Sequence, residues 1–213
     1  MLMQSPRQPS PVIAIVDDDT SAREGLQSLI RSAGWRAETF GSAQEFLACR
    51  GGEMPGCLVL DLQLPGLSGL DLQKRMAEID LEIPIVFLTG HGDIPASVRA
   101  IKAGAFEFLT KPVEAENLLR AIEEAVDRGR HIRQRQDEIH QLKSRYDTLT
   151  AREREVMQQV ISGLLNKQVA AELNITEFTV KVHRAHVMGK MRAGSLADLV
   201  RMAETLGIRA KTR

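Results

Sequence analysis

The chain has 213 residues, 43% apolar and 26% charged, enough for one large domain or two small ones, and no apolar run long enough to span a membrane. Its two cysteines, Cys49 and Cys57, lack metal-ligand spacing and its first residues lack the apolar core of a signal peptide, so a reduced, cytoplasmic setting is expected. The net charge of zero hides an asymmetry: residues 1–127 hold 11 Lys and Arg against 19 Asp and Glu, whereas residues 128–213 hold 17 against 9, so an acidic domain followed by a basic one suited to a polyanion is expected.

Residues 1–11 contain three prolines and read as a flexible tail. Four short apolar runs follow, each of buried-strand length: Val12–Val16 before Asp17-Asp18, Cys57–Leu60 before Asp61, Ile85–Leu88 before Thr89, and Phe106–Thr110 before Lys111. Arg36–Phe40 supplies a fifth strand. Amphipathic helices are expected from about Ala22 to Ala33, Ser42 to Cys49, Gly69 to Ile79, Pro95 to Ala103, and from Glu116 onward. This alternation over residues 12–127 predicts an α/β domain with a doubly wound, five-stranded parallel sheet.

Residues 128–148 read as a helical linker. Ile132, Ile139, Leu142, Tyr146 and Leu149 recur at heptad-like steps, which fits either a coiled coil or a solvated helix with a narrow apolar stripe. Residues 149–213 carry helical patterns only. Thr150 with Glu153 fits a capping box; Asn166 and Thr176 are expected caps of the next two helices, and Ser195 opens a fourth that Gly207 stops.

In an open parallel sheet the carboxyl ends of the strands share one crevice, so Asp17, Asp18, Asp61, Thr89 and Lys111 should converge. Adjacent carboxylates repel unless a cation compensates, and Mg²⁺ suits hard oxygens with room for water and phosphate. Asp61 can then act as a nucleophile towards phosphorus, Lys111 pair with phosphoryl oxygens, and Thr89 hydrogen-bond one of them. His91 and Asp93 read as loop residues.

Ile15-Val16-Asp17-Asp18-Asp19, Leu60-Asp61-Leu62-Gln63-Leu64-Pro65-Gly66 with Gly69, Leu88-Thr89-Gly90 and Lys111-Pro112 resemble the receiver domain of two-component response regulators, in order and spacing. The resemblance implies a flavodoxin-like fold and a phosphoacceptor Asp61 served by a sensor histidine kinase. It implies Mg²⁺ on Asp18, Asp61 and the Gln63 main-chain carbonyl, with Asp17 helping through a bound water. It assigns Thr89 and Phe108 to the switch, and makes the Lys111-Pro112 bond cis.

The helices from Asn166 and from Thr176 are separated by Asn174-Ile175-Thr176, a turn of helix-turn-helix type. Val180, Val187 and Met191 fall on one face of the second helix; Phe178, Lys181, Val182, Ala185 and Gly189 fall on the other, flanked by Thr179 and Arg184. That pattern alone fits a DNA-reading helix or the basic face of a structural bundle. Leu149 through Val156, Gly163, Asn166 through Ala170, and Ile175-Thr176 through Thr179-Val180-Lys181-Val182-His183 closely resemble the DNA-binding domain of the LuxR/FixJ family.

The second resemblance implies that Lys181 and Val182 face bases, Thr179 and Lys190 lie near phosphates, and Lys167 belongs to the DNA-binding set. Ala185 departs from the family's longer polar residue there, a loss for which Arg184 and His186 compensate in part; His183 is expected to pack between helices. Together the two resemblances imply a FixJ-type response regulator. Phosphorylation would promote a homodimer through its fourth helix and fifth strand, binding promoter DNA as an activator, with RNA polymerase a further partner. The competing expectations are a regulator working without phosphate and an aspartyl-phosphate phosphatase. The latter is disfavoured by Gln63, which stands where that chemistry wants an acid.

Overall fold

The computed structural model describes residues 10–49, 53–90 and 94–208. Most of the expected tail, and both His91 and Asp93, lie outside the described residues. Within them the chain forms two compact units divided inside one long helix, between Arg133 and Gln134.

The first unit holds a parallel sheet of β1 (Val12–Val16), β2 (Arg36–Phe40), β3 (Cys57–Asp61), β4 (Ile85–Thr89) and β5 (Glu107–Thr110), in the order β2-β1-β3-β4-β5. β1, β3 and β4 are buried at every residue, and for that reason read as unbroken apolar runs rather than as alternating ones. Edge strand β2 buries only Ala37 and Phe40. Strand order reverses between β1 and β3, which opens a crevice at their carboxyl ends.

Helices α1 (Thr20–Ser32), α2 (Ala43–Ala48), α3 (Gly69–Glu78), α4 (Ile94–Lys102) and α5 (Ala115–Asp147) connect and follow the strands. One face of the sheet packs Leu58, Leu60 and Phe87 with Phe46, Leu72 and Met76; the other packs Ile13, Ile15 and Val59 with Ile30, Leu118 and Ile122. Helix α1 begins two residues earlier than the apolar pattern predicts. Asp19 caps it, its carboxylate accepting from the backbone N–H of Ser21 at 2.8 Å and of Ala22 at 3.3 Å. Helix α5 approaches the β3 entrance closely: a Cβ on Gly129 would stand 2.5 Å from the Gly56 carbonyl oxygen, and Arg133 Nη1 donates to the Pro55 carbonyl.

The second unit contains the end of α5 with α6 (Ala151–Ile161), α7 (Asn166–Leu173), α8 (Glu177–Met191) and α9 (Leu196–Thr205). Its core joins Val156, Met157, Val169, Val180, Val187, Met191 and Leu199. Leu142, Tyr146 and Leu149 pack into this same core, so the second half of the heptad-like stripe is covered by the unit's own helices. Thr150 and Glu153 form the expected capping box. Asn166 does not cap α7; it is the helix's first residue, Leu165 is the cap, and the Gln168 carboxamide accepts from the Leu165 N–H at 2.8 Å. Asn174 closes α7 in the left-handed conformation at φ 51°, Ile175 packs against the core, and Thr176 caps α8.

Candidate functional site

Sheet register places the chemistry of the first unit. Val16 pairs with Leu60, Asp61 with Leu88, and Thr89 with Thr110, so the carboxyl ends of β1, β3, β4 and β5 lie within one residue of their neighbours in register. The ladder continues past the strands: Leu62 N–H donates to the Leu88 carbonyl at 2.9 Å and Lys111 N–H to the Thr89 carbonyl at 2.7 Å. Leu62 and Lys111, each just beyond a strand, are thereby fixed relative to β4.

Asp17 and Asp61 are buried, 1% and 8% exposed, whereas Asp18 is exposed at the mouth. One carboxylate oxygen from each of the three lies within 4.8 Å of those of the other two. Lys111 Nζ reaches into this cluster, 2.7 Å from Asp17 Oδ2 and 2.5 Å from Asp61 Oδ2. The remaining oxygens are oriented by the backbone: Asp19 N–H donates to Asp17 Oδ1 and Gln63 N–H to Asp61 Oδ1, both at 2.9 Å. Arg23 Nη1 donates to the Asp17 carbonyl oxygen.

Partial burial acts to lower the pKa of Lys111, but its hydrogen bonds to Asp17 and Asp61 and their negative charge outweigh that cost and hold it above the ordinary lysine value. The ammonium therefore stays charged throughout the physiological range. Three converging hard carboxylates with one lysine make a donor set suited to Mg²⁺, which prefers few protein oxygens and keeps several waters.

The loop after β3 is shaped by alternating burial. Leu62 and Leu64 enter the core and Gln63 is left exposed between them, so its backbone stands beside Asp61. Gly69, the first residue of α3, supports the loop from below: a Cβ there would lie 2.4 Å from the Asp61 carbonyl oxygen and 3.0 Å from Phe87 Cε1. Only glycine fits that approach. Thr89 is fully buried at the end of β4. Phe108, half-buried on β5, packs on Phe87 with ring centroids 6.3 Å apart. The Lys111-Pro112 peptide is cis.

In the second unit α8 buries Val180, Val187 and Met191 and turns Phe178, Lys181, Val182 and Ala185 outward. Thr179 lies at its amino end, its N–H donating to Thr176 Oγ1. Lys167 is exposed at the start of α7. Three of the expected cations have partners of their own: Lys181 Nζ lies 3.6 Å from Glu177 Oε1, one turn earlier. Arg184 Nη1 donates to Asn166 Oδ1 at 3.1 Å, and Lys190 Nζ donates to Glu153 Oε2 at 2.7 Å and to the Thr148 carbonyl.

Two roles were not visible in the sequence. Asp19 caps α1 instead of joining the carboxylate cluster. Glu153, beyond its expected place in the capping box, is buried and anchors Lys190; His186 Nδ1 stands 3.5 Å from its other oxygen. Burial pushes the Glu153 carboxyl up, but Lys190 and the Thr150 hydrogen bonds outweigh it and hold the group below its ordinary value. His183, expected to pack between helices, is half-buried, with Nδ1 buried and unpartnered among the described residues.

Comparison with known proteins accounts for both units. Residues 13–123 match the response regulator receiver domain, and residues 147–203 match the bacterial regulatory proteins of the luxR family. The chain is 53% identical over 199 residues to Nodulation protein W of Bradyrhizobium diazoefficiens, covering 93% of this chain and 88% of that protein. It is 41% identical over 196 residues to Transcriptional regulatory protein FixJ of the same organism, covering 92% and 96%. Among solved structures it resembles response regulator StyR at 51% identity and a TM-score of 0.79, over 92% of this chain and 98% of that one. The fold, the strand-end cluster and the helix-turn-helix unit thus have one explanation: the chain belongs to the FixJ-type two-component response regulators, with a receiver domain followed by a DNA-binding domain of the luxR family.

Proposed function

We propose that Asp61 is the phosphoacceptor of this regulator and that its phosphorylation by a sensor histidine kinase switches promoter binding by α8. The observation carrying this reading is the joint hold of Lys111 on Asp17 and Asp61, with Asp18 at the mouth of the same crevice. An Asp61 carboxylate oxygen attacks the phosphorus, the nitrogen–phosphorus bond of the kinase's phosphohistidine breaks, and the histidine leaves with the electron pair.

Asp18, Asp61 and the Gln63 carbonyl are the proposed Mg²⁺ ligands, with Asp17 acting through a bound water. The metal would supply positive charge against the phosphoryl oxygens. Lys111, already held charged beside Asp61, exchanges part of its pairing with Asp61 for a phosphoryl oxygen. Thr89 donates to another, and Phe108, half-buried and packed against Phe87, follows Thr89 inward. Exposed Gln63 offers no acid for a hydrolytic cycle, which supports an input switch rather than a phosphatase.

The switch output is a homodimer through α4 and β5. Val98 and Ile101 of α4 are exposed at 46% and 47%, an apolar pair that a second copy would cover. Paired DNA-binding domains then address two half-sites, with Lys181 and Val182 at base edges and Thr179 and Lys190 near phosphates. Lys167, Arg184 and Ala185 complete the DNA-facing set; Lys181, Arg184 and Lys190 start from intramolecular partners, so their place in it rests on position along the helix. Activation through RNA polymerase in the cytoplasm completes the reading. No described helix is long and apolar enough to cross a membrane.

Beryllofluoride with Mg²⁺ mimics the phosphorylated state without a kinase. Light scattering should show monomer converting to dimer in the wild type and not in Asp61→Ala. A wild-type protein that stays monomeric, with unchanged affinity for DNA, would overturn the proposal.

A further inference from the structure

The outward side of α8 carries an apolar stripe among its charged and polar residues. Phe178, Val182 and Ala185 follow one another at steps of four and three, hence along one stripe, and all three are exposed. Phe178 is 76% exposed, so its ring contributes little to the unit's core, which is built from Val180, Val187 and Met191 on the opposite side. The one cation within the stripe, Lys181, lies 3.6 Å from Glu177 Oε1, one turn earlier.

Resting on the reading of α8 as the recognition helix, this composition limits what can be read. Residues near the amino end of such a helix meet base edges in the major groove, and Phe178 is the second residue of α8. A phenyl ring and an isopropyl group offer no donor or acceptor to a base. The feature of the major groove that an apolar side chain does recognise is the 5-methyl group of thymine. Ala185, one turn beyond Val182, is too short to add a hydrogen bond. We therefore propose that Phe178, seconded by Val182, is a specificity-determining residue that selects thymine by its methyl group.

The test uses the full-length protein with Mg²⁺ and beryllofluoride. A random duplex library is selected by the wild type, and the enriched duplex is resynthesised with 2′-deoxyuridine in place of each thymine in turn. That exchange removes the methyl and leaves every hydrogen-bonding group intact. At one or more thymines per half-site, wild-type affinity should fall about fourfold per methyl removed. Phe178→Ala, at a position that leaves the core untouched, should bind the thymine and deoxyuridine duplexes equally. Phe178→Leu, which keeps an apolar side chain, should retain part of the discrimination.

Uniform indifference of the wild type to deoxyuridine would overturn the inference while leaving DNA binding standing. So would Phe178→Ala losing the same factor as the wild type. Failure to retain any duplex would overturn the recognition-helix reading itself, and this inference with it.

Discussion

Lys111 Nζ lies 2.5 Å from Asp61 Oδ2 and 2.7 Å from Asp17 Oδ2, so one ammonium holds together two buried carboxylates from neighbouring strands. Removing it leaves like charges within 4.8 Å of one another, Asp18 included. Lys111→Ala should lose about 1–3 kcal/mol of receiver stability at neutral pH. Added Mg²⁺ should then restore more stability to the variant than it adds to the wild type. Thermal unfolding with and without the metal checks both expectations.

Gly69 answers for the position of Asp61 from the backbone side. Gly69→Ala introduces a Cβ 2.4 Å from the Asp61 carbonyl oxygen. The overpacking should cost about 1–3 kcal/mol in urea unfolding. Phosphoryl uptake from a small-molecule donor should also slow, because the loop carrying Gln63 moves with Asp61.

In the second unit the pair to break is Lys190 with Glu153. Lys190→Ala leaves a buried carboxylate without its cation and should cost about 1–3 kcal/mol, at the low end because the Lys190 side chain is 37% exposed. The Glu153 carboxyl is held below its ordinary value of 4.5 in the folded state. Its contribution is therefore present above about pH 4.5 and lost as pH falls through the lowered folded-state value. Acid titration of stability should show that loss in the wild type and a shallower one in Lys190→Ala.

The dimer face can be tested apart from the chemistry. Ile101→Asp places a charge on the exposed apolar pair of α4, far in sequence from Asp61. Beryllofluoride should still bind, seen by fluorine NMR, while sedimentation shows the variant remaining monomeric. A variant that dimerises as the wild type does would move the interface elsewhere.

Much of this molecule is legible in the sequence because its central strands are unambiguous. β1, β3 and β4 are buried on both faces, so each is a continuous apolar run, and parallel topology then forces Asp17, Asp61 and Thr89 to one edge. What remains hidden is which of several possible partners a side chain takes. Asp19 continues an acidic triplet, yet its carboxylate caps α1. Asn166 is a good cap by type, yet its amide oxygen receives Arg184 from α8, eighteen positions later. Periodicity has the same limit. Leu142, Tyr146 and Leu149 keep heptad-like spacing because they pack on α6 through α9, and spacing records that a stripe is covered without recording by what.

The central claim is that phosphate on Asp61 controls DNA binding, and intact-mass spectrometry coupled to a DNA-affinity measurement tests it most directly. With a small-molecule phosphodonor and Mg²⁺, the wild type should gain a single phosphoryl group and bind its selected duplex more tightly. Asp61→Asn should do neither. An adduct retained at full level by Asp61→Asn, or DNA affinity that ignores phosphorylation of the wild type, would contradict the account.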